Sequence, residues 1–102
     1  MWLLSVKPSP RAEKRFRATY CMCEKKNECK GSNHKEVDFG LKGGSTYIDH
    51  KDDDKKKAYL ARHRPREEWN NPLTAGSLAR WLLWNMKTLR DSIADFKKRF
   101  KL

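Results

Sequence analysis

Three cysteines and a histidine, Cys21, Cys23, Cys29 and His34, fall within one short stretch in the order C-x-C-x5-C-x4-H. Thiolate and imidazole are the ligands of tetrahedral zinc, and a zinc staple would help a chain with little core. The C-x-C spacing is less usual than C-x2-C. It also falls on a segment that alternates like a strand, where Cys21 and Cys23 share the face opposite Met22. Plain thiols, or a Cys23–Cys29 disulfide in an oxidising setting, suit the same residues with fewer demands. No cofactor is expected, and zinc on these four residues is the lesser reading.

Other reactive side chains form no set with catalytic spacing. Asp52, Asp53 and Asp54 with His50 and His63 could hold a nuclease-like metal, but no H-x-x-x-H or comparable motif supports it. The simpler reading is the first turn of a helix, followed by its own lysines and favoured by the helix dipole. The run Gly40 to Thr46 lacks the G-x4-G-K-[ST] order of a phosphate cradle and reads as a turn. The chain is not expected to be an enzyme, and no small-molecule substrate is expected.

Basic and aromatic residues interleave in two places. Arg11, Lys14, Arg15 and Arg17 surround Phe16 and Tyr20, a mixture that could hold phosphate and stack bases. Because Phe16 and Tyr20 fall on the apolar face of the same strand, core is the stronger reading. Arg62, Arg64 and Arg66 form a second basic cluster beside Trp69.

The chain has 102 residues and a formal charge of +11, from 24 Lys+Arg against 13 Asp+Glu. The excess is spread over both halves rather than collected in a tail. Such a field attracts polyanions of any kind, whether nucleic acid, an anionic inner membrane or an acidic protein surface. Only 37% of residues are apolar, so one small domain is expected, marginal enough to benefit from a partner. No apolar run approaches the ~18 residues of a membrane span, Met1 to Leu4 is too short for a secretory core, and an odd cysteine count suits a reducing compartment.

The elements that must position these residues follow from periodicity. Residues 1–13 read as an extended N-terminal arm, with a short extended segment at Leu4–Lys7. Residues 14–48 read as the β-rich part. Within it, 14–23 place Phe16, Ala18, Tyr20 and Met22 on one face, and 34–41 return with Val37, Phe39 and Leu41 on one side. Residues 49–102 read as helical. A first helix begins at the aspartate run, with Asp52–Lys56 and Asp53–Lys57 pairs, and ends near His63 before Pro65. A second follows Thr74 or Ser77 as N-cap, with Leu78, Trp81, Leu82 and Asn85 in its stripe. A third is capped by Thr88, with Asp91 three residues on, and carries Leu89, Ile93, Phe96 and Phe100. The fold class is α+β: a small antiparallel hairpin or sheet, then three short helices, in a single domain over 1–102.

From Phe39 to Phe100 the chain resembles a known family. The string FG-x-x-G, HKD at 50–52, YLARHR at 59–64, the segment EEWNNPLTAGSLARWLLWN and SIADFKKRF at 92–100 are similar to small basic virion proteins of large nucleocytoplasmic DNA viruses, algal viruses among them. The resemblance covers roughly residues 39–100. It implies a non-enzymatic structural role: a minor capsid protein made in the host cytoplasm and located in the virion, cementing major capsid capsomers from inside the shell. The implied partners are the major capsid protein and other minor capsid proteins. The alternative is a basic DNA-binding virion protein that packages or anchors the genome. Interface candidates are Trp69, Arg80, Trp84, Arg62, Arg64 and Arg66, while Trp81 is expected in the core.

Overall fold

The alternation along residues 14–23 does form a strand, and two neighbours pair with it. A computed structural model describes the backbone of residues 1–102 and every side chain except that of Lys26. Strands β1 (Trp2–Pro8), β2 (Lys14–Cys21) and β3 (His34–Leu41) make an antiparallel sheet in the order β1-β2-β3. Much of the segment expected as a free arm is thus the first strand of the sheet. Its pattern hides this, because the register slips between Leu3 and Ser5: Leu3 stands opposite Tyr20, yet Val6 stands opposite Ala18. The extra residue, Leu4, is a β-bulge that brings Leu3 and Val6 to the same face, which strict alternation forbids.

Opposite residues in a sheet share a face, so Tyr20, Ala18 and Phe16 line up with Leu3, Val6, Val37 and Phe39 on the inner side. The outer side pairs charges. Arg17 donates from Nε to Asp38 at 2.8 Å and reaches Glu36 at 2.7 Å, and the Ser9 hydroxyl adds a bond to Asp38 at 3.0 Å. Leu41 departs from expectation and is 69% exposed. The cause is Gly40, whose φ of +78° breaks the pleat, and where a Cβ would stand 3.1 Å from Leu83 Cδ1 and 3.2 Å from Arg15 Cβ.

Helices α1 (Tyr47–His50) and α2 (Asp53–His63) replace the single helix expected there. Lys51 sits in the left-handed region at φ 55° and ends α1, and Asp52 then caps α2 by accepting from the Asp54 and Lys55 amides. The expected lysine pairs do not form. Asp52 is the cap, Asp53 accepts from the Tyr47 hydroxyl at 2.5 Å, and Lys56 donates to the Asn85 carbonyl at 2.7 Å. Pro65 stops α2 as expected, in a 3-10 turn over Arg64–Arg66.

Thr74 caps α3 (Ala75–Leu78), which runs straight into a π-turn over Ala79–Leu83. Thr88 caps α4 (Leu89–Phe100), its hydroxyl accepting from the Asp91 amide at 3.2 Å. The core closes where these C-terminal elements cover the inner face of the sheet. Leu3, Ala18, Tyr20 and Phe39 come from strands, and Leu78, Leu82, Leu83 and Phe96 from helices. Ile93, Leu89 and Phe100 pack at its margin. The fold is α+β, a three-stranded antiparallel sheet followed by four helices. Among the described residues no helix is long and apolar enough to cross a membrane.

Phe96 is fully buried between the sheet and the π-turn. Phe96→Ala is expected to cost about 3–5 kcal/mol in urea denaturation, the range for aromatic truncation in a closed core.

Candidate functional site

Asn71 and Pro72 bend the chain back after α2, and the Trp69 carbonyl then becomes a fixed point. It accepts from the Trp81 indole Nε1 at 2.8 Å and from the buried Ser77 hydroxyl at 3.1 Å. Two bonds to one carbonyl pin the loop of residues 64–70 beside the π-turn. Glu67 fastens the loop from within, accepting from Trp69 Nε1 at 3.2 Å and lying 3.2 Å from His63 Nδ1. Gly76 leaves the room for that carboxylate, since a Cβ there would collide with Glu67.

Between loop and π-turn opens a cleft of about 690 Å³, lined by Arg64, Arg66, Glu68, Trp69, Arg80 and Trp81 among others. A smaller cavity of about 260 Å³ shares Arg64, Trp69 and Arg80 with it and extends toward Lys57. Arg80 is central to both. Its Nη1 donates to the Trp84 carbonyl at 2.8 Å, and its guanidinium carbon lies 4.2 Å from the Trp81 ring centre and 5.4 Å from that of Trp69. Arg99 lies over Trp81 as well, at 3.9 Å. Cation–π contact with indole is favourable, but it supplies no countercharge. Arg80 forms no ion pair among the described residues, and its Nε is buried without a partner. Burial and the neighbouring Arg99 pull the Arg80 guanidinium below the usual arginine value, against smaller contributions from Tyr59 and Asp95.

The expected interface residues divide accordingly. Trp69, Arg80, Arg64 and Arg66 meet at the cleft. Trp81 packs against the core, as expected, and its half-buried ring also lines the cleft. Trp84 turns the other way and stacks parallel on Tyr59, with ring centres 4.4 Å apart and a 4° angle. His50 approaches its ring to 5.3 Å, and Tyr59 stacks in turn on His63 at 4.3 Å. Burial lifts the Tyr59 phenol to about 12. Trp84 therefore joins α2 to the π-turn, and a separate cavity of about 280 Å³ beside it takes Arg62 away from Arg64 and Arg66.

Of the proposed zinc ligands, Cys21 stands opposite His34 in the β2–β3 register, but its sulfur is committed elsewhere. Cys21 and Cys29 form a disulfide, Cys23 is a free thiol, and no group of three metal-ligating side chains occurs among the described residues. The strand ends at Cys21, so Cys23 leaves the sheet before it can share a face with Cys21. The disulfide therefore links Cys21, not Cys23, to Cys29. The basic and aromatic mixture on β2 is also engaged internally. Arg15 holds Asp49 through two bonds of 2.7 Å, Arg17 holds Asp38 and Glu36, and the buried Tyr20 donates its hydroxyl to the Pro72 carbonyl at 2.5 Å.

Two measurements test this arrangement. Thiol titration of the unreduced protein should find one reactive cysteine, and removing both Cys21 and Cys29 should cost about 2–3 kcal/mol, the chain-entropy value for so short a loop. The Arg15 guanidinium holds the Asp49 carboxyl far below the aspartate range, and Arg17 lowers that of Asp38. A carboxyl depressed in the folded state stabilises above its unfolded pKa, and that stability is lost as pH falls through the folded one. Stability should therefore decline below about pH 4. Asp49→Asn should lose about 1–2 kcal/mol at neutral pH and flatten that decline, read by urea titration across the range.

No curated protein and no solved structure matches the chain at significant similarity. Residues 4–63 match the model of a family of unknown function (DUF5754). The match spans most of the sheet, α1 and α2 and stops before Trp69, so it shares only residues 39–63 with the segment that carries the virion resemblance. It covers more than half of the chain, and the chain accordingly belongs to this family of unknown function.

Proposed function

We propose that this chain is a non-enzymatic structural protein, a minor capsid protein that cements major capsid capsomers from inside the shell of a large icosahedral DNA virus. The observation that carries the binding part of this reading is where the spare charge lies. Asp38, Asp49, Asp53 and Asp95 are each engaged within the fold, by Arg17, Arg15, Tyr47 and Asn85 respectively. Arg80, Arg64 and Arg66 instead converge with half-buried Trp69 and Trp81 on one open cleft. Arginine and tryptophan anchor protein interfaces, because each brings large contact area together with directional hydrogen bonding. The virion setting is supported by the sequence resemblance over residues 39–100, and the partners proposed with it are the major capsid protein and neighbouring minor capsid proteins.

A net charge of +11 favours a second reading, a basic virion protein that binds DNA. The internal engagement of Arg15, Arg17, Phe16 and Tyr20 weighs against it, since these are the residues that would have made the strand a nucleic-acid platform. Cross-linking mass spectrometry on purified particles decides between the readings. Lysines beside the cleft, Lys57 first, should couple to major capsid protein. Coupling confined to core proteins or nucleic acid, together with duplex affinity that falls steeply with salt, would move the function to the second reading.

A further inference from the structure

We propose that the Arg80 cleft is a carboxylate-binding site that receives an acidic segment of a partner protein. This rests on the reading that the partner is a protein, and not on the virion setting. The starting point is an imbalance of charge. Arg80 is held half-buried against Trp69 and Trp81 with no ion-pair partner among the described residues, and Arg99 adds like charge nearby that the more weakly acting Asp95 does not cancel. A desolvated cation without a counterion is costly, and the cost is offset when an anion enters the same low-dielectric space. The guanidinium is planar and forked, and its geometry matches an oxyanion. Its position is fixed in advance by the bond from Nη1 to the Trp84 carbonyl, so little side-chain entropy remains to be lost on binding.

The walls favour a peptide carboxylate over a nucleic-acid strand. Stacking bases requires open aromatic faces, but Trp81 is covered by the guanidiniums of both Arg80 and Arg99, and Trp69 faces Arg80. Both indole N–H groups are bonded within the protein, to Glu67 and to the Trp69 carbonyl. Glu67 and Glu68 also line the cleft. A continuous phosphate chain would run against these carboxylates, whereas a side-chain carboxylate can settle on the arginine side and leave its neighbours outside. The space of about 690 Å³ accommodates a few residues of extended chain.

The test uses the full chain and three probes: a capped peptide alternating glutamate with glycine, its glutamine counterpart, and a thymidine oligonucleotide. Binding is followed by tryptophan fluorescence and by anisotropy of labelled probes. The glutamate peptide should bind and the glutamine peptide should not. Arg80→Gln should weaken the glutamate peptide about tenfold or more, the scale of losing one charge-assisted contact. Trp69→Ala keeps the backbone carbonyl that Ser77 and Trp81 use, so a folded cleft variant remains if Arg80→Gln unfolds, as circular dichroism would report. Trp69→Ala should weaken the peptide severalfold. Arg90→Gln, at a 93% exposed side chain outside the cleft, should leave binding unchanged. Equal weakening by Arg90→Gln, equal binding of the glutamine peptide, or a preference for the oligonucleotide that Trp69→Ala abolishes would each overturn the inference. Cross-links to capsid protein that persist in Trp69→Ala would overturn the cleft assignment while leaving the structural role intact.

Discussion

The hydrogen bond from the Trp84 amide to the Ala79 carbonyl, 3.1 Å long, closes a turn one residue wider than an α-helical one, and most of the molecule's geometry depends on it. In an α-helix Leu82 falls below Leu78 and its successor is carried away from that face. The wider turn lets Leu82 and Leu83 both reach the core, where they meet Phe39 and Phe96. It also divides the neighbouring aromatic and basic residues. Trp81 and Arg80 turn toward the loop of residues 64–70, while Trp84 turns onto Tyr59. π-turns recur at functional sites because the bulge re-aims side chains that regular geometry would bury or expose together. Here one such turn completes the core, fastens α2 and opens the cleft.

The sheet and the C-terminal helices depend on each other. Three strands with one apolar face need a covering layer to be stable in water, and α3, the π-turn and α4 supply it. The polar stitching around Asn85 shows how tightly that layer is drawn. Asn85 donates to Asp95 at 2.7 Å, its carbonyl accepts from Lys56 at 2.7 Å, and the buried Ser92 hydroxyl accepts from the Met86 amide at 3.0 Å. Against this frame the family match over residues 4–63 covers most of the sheet but, of the helices, only α1 and α2. The cleft lies in the part of the chain beyond it.

Much of the architecture was legible because it rests on local periodicity. The alternation of Phe16, Ala18 and Tyr20 announced β2. The spacing of Leu89, Ile93, Phe96 and Phe100 behind Thr88 announced α4, and Thr74 and Pro65 marked boundaries through capping and a missing amide. What escaped detection rests on breaks in periodicity. The bulge at Leu4 disguised β1 as an arm, the left-handed Lys51 split one expected helix into two, and Gly40 turned Leu41 outward. The cysteines depart from strict alternation for a related reason: Cys21 and Cys23 share a face only if the strand continues, and it ends at Cys21.

The sequence by itself determined that this is a small basic α+β domain and that tryptophan and arginine gather in its last third. These are matters of composition and local spacing, which each stretch of chain carries alone. Only the tertiary structure decided which arginines are free. Arg15 and Arg17 look as available as Arg80 in the sequence, but distant carboxylates at Asp49 and Asp38 claim them, and among the described residues none forms an ion pair with Arg80. Likewise Trp81 both borders the core and lines the cleft, while Trp84 stacks on Tyr59, because a π-turn adds one residue to the winding. Charge compensation and helical phase are both settled by partners far along the chain, so local spacing could not assign them.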